Sequence, residues 1–348
     1  MSERPSHGPD RRHGRGPGRP GGWGSRPGAG DGAGPPRAPG LDGILLVLKP
    51  IGPTSHDVVA VVRRLSGTRR VGHGGTLDPF ASGLLPVYLG QATRLVEYHM
   101  ADRKRYRATI CFGASSTTDD LEGELTPAEG PAPDRAAVEA ALDAFRGPIV
   151  QVPPAYSAVK VAGRRAYALA RAGKTPEIAA RSVTIDLLEI VDWDGTDPAR
   201  PIAIVDVGCS AGTYVRAIAR DLGAALGSAA YLGALDRTGS GPWTVDKGVP
   251  LDDLREAPRD AIARRLLPVD AGLDGMATVR LDDAGLHAIE RGQRIRDTRP
   301  AEEGSEGPVR LIAPDGALVA VGQPGDGWIS PTKVLRTAGG GPGVDRDA

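Results

Sequence analysis

Asp78 is a candidate reactive carboxylate because it ends a glycine-rich stretch, GHGGTLDP, from Gly72 to Pro79. Pro79 biases the residue before it towards extended dihedral angles, and the glycines leave no side chains that would block a bulky ligand. A carboxylate can attack a carbon, remove a proton or add to a ring, and then leave again. An isolated cluster of this kind would equally form a turn with a helix-capping aspartate.

Three further segments carry aromatic, cationic or apolar side chains that are candidates for a functional site. They are Arg105-Tyr106-Arg107, Gly212-Thr213-Tyr214-Val215-Arg216, and the apolar stretch that ends at Leu235. Taken alone, Tyr106 is expected to be a cross-strand aromatic residue and Leu235 a core residue. Arg216 is expected about 100° around a helix from Val215, where it either reaches sideways into a cleft or lies on the surface.

Cationic side chains cluster between residues 160 and 182. In a nucleic-acid-binding protein this stretch would supply phosphate contacts, and otherwise it would form a solvated helix face. Together with two basic residues nearer the glycine-rich stretch, the candidates for RNA contact are Lys49, Arg70, Lys160, Arg164, Arg165 and Lys174.

A serine hydrolase is a second possibility. Gly208-Cys209-Ser210-Ala211-Gly212 fits the strand, elbow and helix pattern of a nucleophilic serine, and His73-Gly74-Gly75 resembles an oxyanion loop. The base would have to be His287, because no other histidine follows Ser210. A five-residue pattern with two glycines arises often by chance.

The composition predicts a globular protein with a substantial core, since 40% of the 348 residues are hydrophobic. No apolar run approaches the roughly 18 residues needed to span a bilayer, and the N-terminus has no hydrophobic signal segment, so a cytoplasmic protein without membrane contact is expected. Cys111 and Cys209 lie in apolar runs and are expected to be free, buried thiols. The six histidines form no ligand pair, so no metal is expected.

The net charge is zero, so any nucleic-acid-binding face must be a local patch. Residues 1–40 contain 12 Gly and 8 Pro, a composition that predicts a disordered tail. Seven Arg and three acidic residues give this tail a charge of +4, which leaves −4 on the rest of the chain. Residues 339–348 are Gly-rich and predict a second flexible tail.

The elements that position the candidate residues follow from periodicity. Apolar runs predict strands over 43–48, 106–112 and 202–207. Helices are expected after a cap at Thr54 or Ser55, extending to about Leu65, and after a cap at Asp134, extending to Phe145. A third helix carries its apolar face on Val215, Ile218, Leu222 and Leu226.

A small β-rich segment is predicted from about 277 to 338. Val309 to Val321 has the pattern of a hairpin that turns at Asp315-Gly316. This segment is expected to be a separate domain.

The stretch from Arg70 to Tyr98, RVGHGGTLDPFASGLLPVYLGQATRLVEY, resembles the signature of the TruB family of tRNA pseudouridine synthases. The segments around Tyr106, Tyr214 and Leu235 resemble further family segments in the same chain order. Lys49-Pro50, His56-Asp57 and residues 153–160 also fit, so the resemblance covers roughly residues 43 to 250.

The resemblance implies an α/β (α+β) pseudouridine synthase fold. Its catalytic domain would span 41–275 around a curved, mixed, mainly antiparallel sheet flanked by helices, with an RNA-contacting insertion at about 160–182. Residues 277–338 resemble a reduced PUA-like RNA-binding module.

The implied activity is conversion of a T-arm uridine of tRNA, at position 55, to pseudouridine without a cofactor. The base is flipped out, its glycosidic bond is cleaved, and it rotates and forms a C-glycoside. Asp78 would be the catalytic residue and Arg216 its partner. Tyr106 would stack on the base and remove the final proton, while Tyr214 and Leu235 would line the pocket. His73 would approach the flipped nucleotide or support the rearranged loop.

The implied partner is tRNA, bound by a monomer without an obligate protein partner. A non-catalytic tRNA-binding or folding protein of the same fold is the remaining alternative. A guide-RNA-dependent relative is disfavoured, because its extended basic tail and larger RNA-binding domain are not evident. Leu48, Thr117 and Asp236 depart from the family pattern, which puts supporting pairings and some tRNA contacts in doubt.

Overall fold

The computed structural model describes residues 40–300 and 307–335, except residues 158, 162 and 175 and the side chain of Arg165. The tails predicted at 1–40 and 339–348 therefore lie outside the described residues, apart from Gly40. In the part of the chain that is described, no helix has the length and apolar composition needed to cross a membrane.

The described helices are mostly short. They are α1 Ser55–Ser66, α2 Val96–Met100, α3 Arg135–Leu142, α4 Ala166–Arg171, α5 Val215–Ala225, α6 Leu251–Glu256, α7 Arg259–Ala263 and α8 Asp283–Glu290. Turns of 3-10 helix span Gly90–Leu95, Asp143–Phe145 and Val245–Lys247.

Strands up to residue 250 are β1 Gly43–Lys49, β2 Val71–His73, β3 Ser82–Leu89, β4 Lys104–Phe112, β5 Ala114–Ser116, β6 Leu125–Pro127, β7 Gly147–Gln151, β8 Lys160–Val161, β9 Arg164–Arg165, β10 Arg181–Asp194, β11 Ile202–Cys209, β12 Ala230–Ser240, β13 Trp243–Thr244 and β14 Val249–Pro250. Those that follow are β15 Thr278–Arg280, β16 Ile295–Arg296, β17 Val309–Ile312, β18 Leu318–Gly325 and β19 Trp328–Val334.

A ten-stranded sheet carries the candidate residues. Its strand order is β14-β1-β3-β12-β4-β11-β10-β7, with β2 paired to β3 and β13 paired to β12. The contacts of β1 with β14 and of β3 with β12 are parallel. The other described pairs of this sheet are antiparallel. The predicted mixed, mainly antiparallel α/β fold is confirmed.

Two hydrophobic clusters pack helices on this sheet. One sets α3 and α5 against the strands, with Phe112, Leu142 and Leu222 fully buried. The other sets α1 against β1 and β3. Each fully buried aliphatic side chain contributes about 1.5–3 kcal/mol to folding. Tyr106 and Leu235 are half-buried and contact both clusters, so they lie at the seam between them.

A second sheet of five strands, in the order β15-β17-β18-β19-β16, contains the β-rich segment predicted near the C-terminus. The hairpin turn falls at Asp315-Gly316 as predicted, between β17 and β18. A small apolar cluster of Leu95, Leu273 and Val321 joins this sheet to α2 and its surroundings. Independence of the segment as a PUA-like domain stays a prediction.

Local capping signals were informative. Thr54 caps α1 in a capping box with Asp57, and Asp134 accepts from Ala137 N at 2.8 Å to cap α3. The helix predicted to reach Phe145 ends as α-helix at Leu142 and tightens into a 3-10 turn. Both cysteines are free as predicted. Cys209 is buried, whereas Cys111 is only half-buried.

Candidate active site

Close packing of the Tyr88 ring explains the glycine at position 74. β2 pairs with β3, and Gly74 N then donates to Pro86 O at 3.0 Å. A Cβ at Gly74 would lie 2.8 Å from Tyr88 Cε2, and Tyr88 is fully buried. No side chain larger than hydrogen fits there, so the glycine serves the close approach of this loop to β3.

The first residue of α1 holds the backbone just before Asp78. Ser55 Oγ accepts from Leu77 N at 2.9 Å and donates to Leu77 O at 3.0 Å. Ser55 is buried and Leu77 is 3% exposed. Asp78 therefore follows a residue whose N–H and C=O are both fixed by one side chain.

The Lys49 side chain is buried inside the site, where it holds backbone segments together. This finding corrects the prediction that Lys49 contacts RNA. Its side chain is buried, and Nζ donates to Pro50 O at 2.9 Å, Pro53 O at 2.9 Å and Pro79 O at 3.3 Å. All three ammonium hydrogens are thereby used, which leaves none for a phosphate. Burial lowers the pKa of Lys49 to about 8, against the opposing charge of Asp78. The lysine ties the turn after β1 to the loop of Asp78.

Arg216 joins two carboxylates from distant parts of the chain. Its guanidinium lies 3.0 Å from Asp78 Oδ2 and 2.9 Å from Asp120 Oδ2. It also donates to Thr118 O at 3.2 Å and Tyr156 O at 3.0 Å. The side chains of Arg216 and Asp120 are 7% and 3% exposed, whereas 38% of the Asp78 side chain is open to solvent. Asp78 is thus the accessible end of a buried ion-pair network.

The charges around Asp78 act on its pKa in opposite directions. Burial raises the pKa of this carboxyl above its ordinary value. The Arg216 guanidinium lowers it, the Asp120 carboxylate raises it and the Lys49 ammonium lowers it. The net effect is a raised pKa, so protonation of Asp78 begins at a higher pH than for an exposed aspartate.

With Asp78 as the reacting carboxylate that the family resemblance implies, the raised pKa of Asp78 should make the rate fall at a pH above the ordinary carboxyl pKa, which sets the acidic limb of the pH–rate profile. Asp120→Asn removes a like charge and lowers the pKa of Asp78, so the acidic limb should move to lower pH. The measurement is the single-turnover rate of uridine isomerisation across about pH 4 to 8.

The matched control is Asp206→Asn, which removes a carboxylate that pairs with Arg107 on the opposite face of β4 from Tyr106. The acidic limb of its pH–rate profile should coincide with that of the unaltered protein. An acidic limb that stays in place in Asp120→Asn would contradict the assignment of this limb to Asp78.

The start of α5 is fixed by a buried amide. Gln151, at 1% exposure, accepts from Tyr214 N at 2.8 Å and donates to Tyr214 O at 3.0 Å. The Arg181 guanidinium lies 5.2 Å from the centre of the Tyr214 ring. Tyr214 immediately precedes α5, and Arg216 is its second residue, so Gln151 sets the position of both.

Tyr106 and Leu235 stand on neighbouring strands of the large sheet. Leu235 of β12 pairs with Ala108 of β4, two residues from Tyr106. Burial raises the pKa of the Tyr106 phenol, while the charge and hydrogen bond of Arg237 oppose that rise. The phenol is therefore protonated at neutral pH and lies at the seam of the two clusters, beside an aliphatic side chain.

His73 ends β2 five residues before Asp78. Its ring meets that of His56 edge to face at 5.5 Å. Burial, together with the charges of His56 and Arg237, lowers the pKa of His73 to about 4, so the imidazole is neutral at neutral pH. Its buried Nδ1 has no hydrogen-bond partner among the described residues.

The remaining RNA-contact candidates are on the surface. Lys160 and Arg164 lie on the hairpin of β8 and β9, and both are exposed. Lys174 follows α4 and Arg70 precedes β2, and both are also exposed. The Arg165 side chain is outside the described residues.

The serine hydrolase interpretation is not supported. Ser210 Oγ accepts a hydrogen bond from Thr184 N at 2.9 Å, so the hydroxyl is tied to the backbone of β10. His287 lies on α8 with Nδ1 2.6 Å from Asp283 O. No hydrogen bond among the described residues links the serine to this histidine.

Three residues of the site were not assigned a role from sequence: Asp120, Gln151 and Arg237. Asp120 lies in a Thr-Asp-Asp turn after a strand, and Arg237 lies two residues after Leu235. These residues are distinguished by their small exposed fractions of 2%, 1% and 1%. The sequence does not show that a charged or amide residue in a polar segment is buried.

Two family models match adjacent parts of the chain. The model described as "TruB family pseudouridylate synthase (N terminal domain)" matches residues 63–215. The model described as "tRNA pseudouridylate synthase B C-terminal domain" matches residues 216–274. Together they cover more than half of the chain.

Known proteins resemble the chain over most of its length. "tRNA pseudouridine synthase B" of Thermobifida fusca is 47% identical over 301 residues, which are 84% of this chain and 98% of that protein. The protein of the same name from Bradyrhizobium diazoefficiens is 42% identical over 308 residues, covering 86% and 87% of the two chains.

Among solved structures, the "Crystal Structure of a Cbf5-Nop10-Gar1 Complex" contains a chain with a TM-score of 0.66 and 25% identity, over 85% of this chain and 86% of that one. A chain of the "archaeal box H/ACA sRNP Nop10-Cbf5 complex" matches with a TM-score of 0.64 and 25% identity, over 85% and 87%. The two family models and the relatives that are 42% and 47% identical show that the chain belongs to the TruB family of pseudouridylate synthases.

Proposed function

We propose that this protein converts the uridine at position 55, in the T arm of tRNA, into pseudouridine, with Asp78 as the catalytic residue. The observation that carries the proposal is the pairing of the accessible Asp78 carboxylate with buried Arg216 at 3.0 Å, at the end of a rigidly held loop. The names of the similar proteins support tRNA as the substrate.

The reaction is an isomerisation, so its atoms balance without a redox partner. The bond from C1′ of the ribose to N1 of uracil breaks, the base rotates, and a bond from C1′ to C5 forms. The hydrogen on C5 leaves to solvent, and N1 takes up a proton. Asp78 acts as nucleophile or as base in the first steps, and the arrangement described serves either route.

The neighbouring side chains have separate tasks. Arg216 keeps Asp78 ionised and oriented by its charge. Tyr106 stacks on the uracil ring, and its hydroxyl oxygen accepts the C5 proton as its own proton passes on to solvent, while Leu235 and Tyr214 form walls of the pocket. His73 meets the backbone of the flipped nucleotide, and its neutral ring avoids a charge that would compete with Arg216.

The protein acts as a monomer in the cytoplasm without an obligate protein partner. The names of the similar proteins mention no partner chain. Nop10 and Gar1 appear in the titles of the solved complexes and belong to those complexes.

The test uses an unmodified tRNA transcript labelled with tritium on C5 of its uridines. Release of tritium, with the product mapped to the T-arm uridine, would establish the activity and its site. A transcript that binds without release of tritium would instead leave the non-catalytic tRNA-binding alternative. Release of tritium from another uridine would correct the proposed target position in the tRNA, and the protein would still be a pseudouridine synthase.

Two surfaces are proposed to hold the RNA. The first is the exposed hairpin with Lys160 and Arg164, from the basic insertion predicted at 160–182. The second is on the C-terminal sheet, where the guanidinium carbons of Arg294 and Arg296 lie 4.4 Å and 5.2 Å from the centre of the Trp328 ring. Exposed arginines on an aromatic face suit phosphate and base contacts.

These surfaces should be separable by substrate length. We expect Lys160→Ala/Arg164→Ala to weaken binding of both a T-arm stem-loop and full tRNA. The slope of log K against the logarithm of the salt concentration should become shallower by about two, because two phosphate contacts are lost. Arg294→Ala/Arg296→Ala should weaken binding of full tRNA alone. Binding is measured by titration at several salt concentrations.

Rates at saturating RNA provide the control, because neither pair is placed at the reacting atoms. Both double variants should isomerise bound RNA at the rate of the unaltered protein. Equal loss for stem-loop and full tRNA in Arg294→Ala/Arg296→Ala would place the C-terminal sheet at the T arm instead.

A further inference from the structure

Arg237 is a fully buried cation behind the loop of Asp78. It lies on β12 at 1% exposure. Nε donates to Leu84 O at 2.6 Å, and the two terminal nitrogens donate to Gly75 O at 3.2 Å and Thr76 O at 3.5 Å. Two of these carbonyls belong to the glycine-rich loop itself, two and three residues before Asp78.

The surroundings of this guanidinium are unusual for a buried charge. Buried charges are generally paired, because desolvation of an isolated ion costs several kcal/mol. Arg237 forms no ion pair with a described carboxylate, and its guanidinium is surrounded by the backbone carbonyls of Leu84, Gly75 and Thr76. An apolar side chain of similar volume would fill the same space without that cost, so the charge serves something other than packing.

One planar group therefore contacts two separate parts of the site. The Leu84 carbonyl belongs to β3, and the carbonyls of Gly75 and Thr76 belong to the loop of Asp78. The donors of a guanidinium are fixed in one plane, so these contacts set the position of the loop relative to β3.

We propose that Arg237 is a positioning residue that fixes the loop carrying Asp78 against β3. The proposal rests on the proposed function, in which Tyr106 stacks on the base while Asp78 reacts with the same nucleotide. Both groups must meet one flipped nucleotide, and a displacement of about 1 Å can cost two orders of magnitude in rate.

Lysine at this position separates charge from geometry. Arg237→Lys keeps a cation but offers a single flexible nitrogen, which cannot contact both the loop and β3 in fixed directions. We expect the single-turnover rate to fall by about 10- to 100-fold. The dissociation constant for a T-arm stem-loop should change by no more than about threefold, because Arg237 is buried and does not face the RNA.

The matched control is Arg146→Lys. Arg146 also donates two N–H groups to a carbonyl, that of Leu188, at 2.9 Å and 2.6 Å, but it lies beside α3 rather than at the site. It should lower the melting temperature without slowing the reaction of bound RNA. Rates are compared well below the melting temperature of each variant, with folding checked by circular dichroism.

Each outcome decides the matter. A slowed reaction in folded, RNA-binding Arg237→Lys, with Arg146→Lys unchanged, supports the positioning role. A normal rate contradicts it, and a lysine variant that fails to fold also contradicts it, because Arg237 would then be structural. Absence of activity in the unaltered protein would reject the proposed function instead, so the two failures are distinguishable.

Discussion

Asp78→Asn is expected to abolish pseudouridine formation while RNA binding persists. Asparagine keeps the shape of the side chain but carries no negative charge, so it neither attacks the nucleotide nor removes a proton from it. We expect the single-turnover rate of tritium release to fall by roughly 10³-fold or more. The dissociation constant for the stem-loop should stay within a few-fold, because the loop is held by Ser55 and Gly74 rather than by Asp78.

Stability should respond in the opposite sense. The pKa of Asp78 is raised in the folded protein, so folding favours the protonated form, and the ionised carboxylate costs stability as the pH rises through its unfolded and then its folded pKa. At neutral pH the neutral amide should therefore leave the melting temperature unchanged or raise it. A reactive group held at a cost to the fold is the pattern expected of a catalytic residue.

The control for this variant is Asp253→Asn, which neutralises an exposed carboxylate in the first turn of α6. It should retain full activity. Substantial tritium release by Asp78→Asn would remove Asp78 from the chemistry, and a variant that is inactive because it does not fold would show the carboxylate to be structural.

The parts of the fold that sequence analysis predicted are those with local causes. Thr54 and Asp134 cap helices through contacts three residues away, and the strand at 202–207 follows from an apolar run. Asp78 was identified from its own neighbours, Gly72 to Pro79. Such features depend on residues close in the chain, so their patterns survive in the sequence.

Side-chain contacts between distant residues could not be predicted from local patterns, and the Asp78–Arg216 pair was expected only from the family resemblance. Lys49 was predicted to contact RNA, but the turn at Pro50 and the loop at Pro79 enclose it. Asp120 meets Arg216 across 96 residues, and Arg237 meets Gly75 across 162. A period or a motif cannot report contacts that only the folded sheet creates.

Arg216→Met should remove both stability and activity, for two different reasons. Methionine fills much of the space but leaves Asp120, whose side chain is 3% exposed, as an unpaired buried carboxylate. Breaking a buried pair from one side costs about 3–5 kcal/mol of unfolding free energy. Asp78 loses the cation that most lowers its pKa, so its carboxylate becomes harder to ionise and is no longer oriented.

The double variant Arg216→Met/Asp120→Asn separates the two effects. It removes both buried charges, so urea denaturation should recover most of the lost unfolding free energy. Its single-turnover rate should remain lower by roughly 10²–10³-fold, because Asp78 still lacks its cation. Asp120→Asn alone keeps the Arg216 contact with Asp78 and should retain measurable activity. Recovery of activity together with stability in the double variant would mean that Arg216 serves the fold alone, whereas recovered stability without activity assigns the 3.0 Å contact with Asp78 to catalysis.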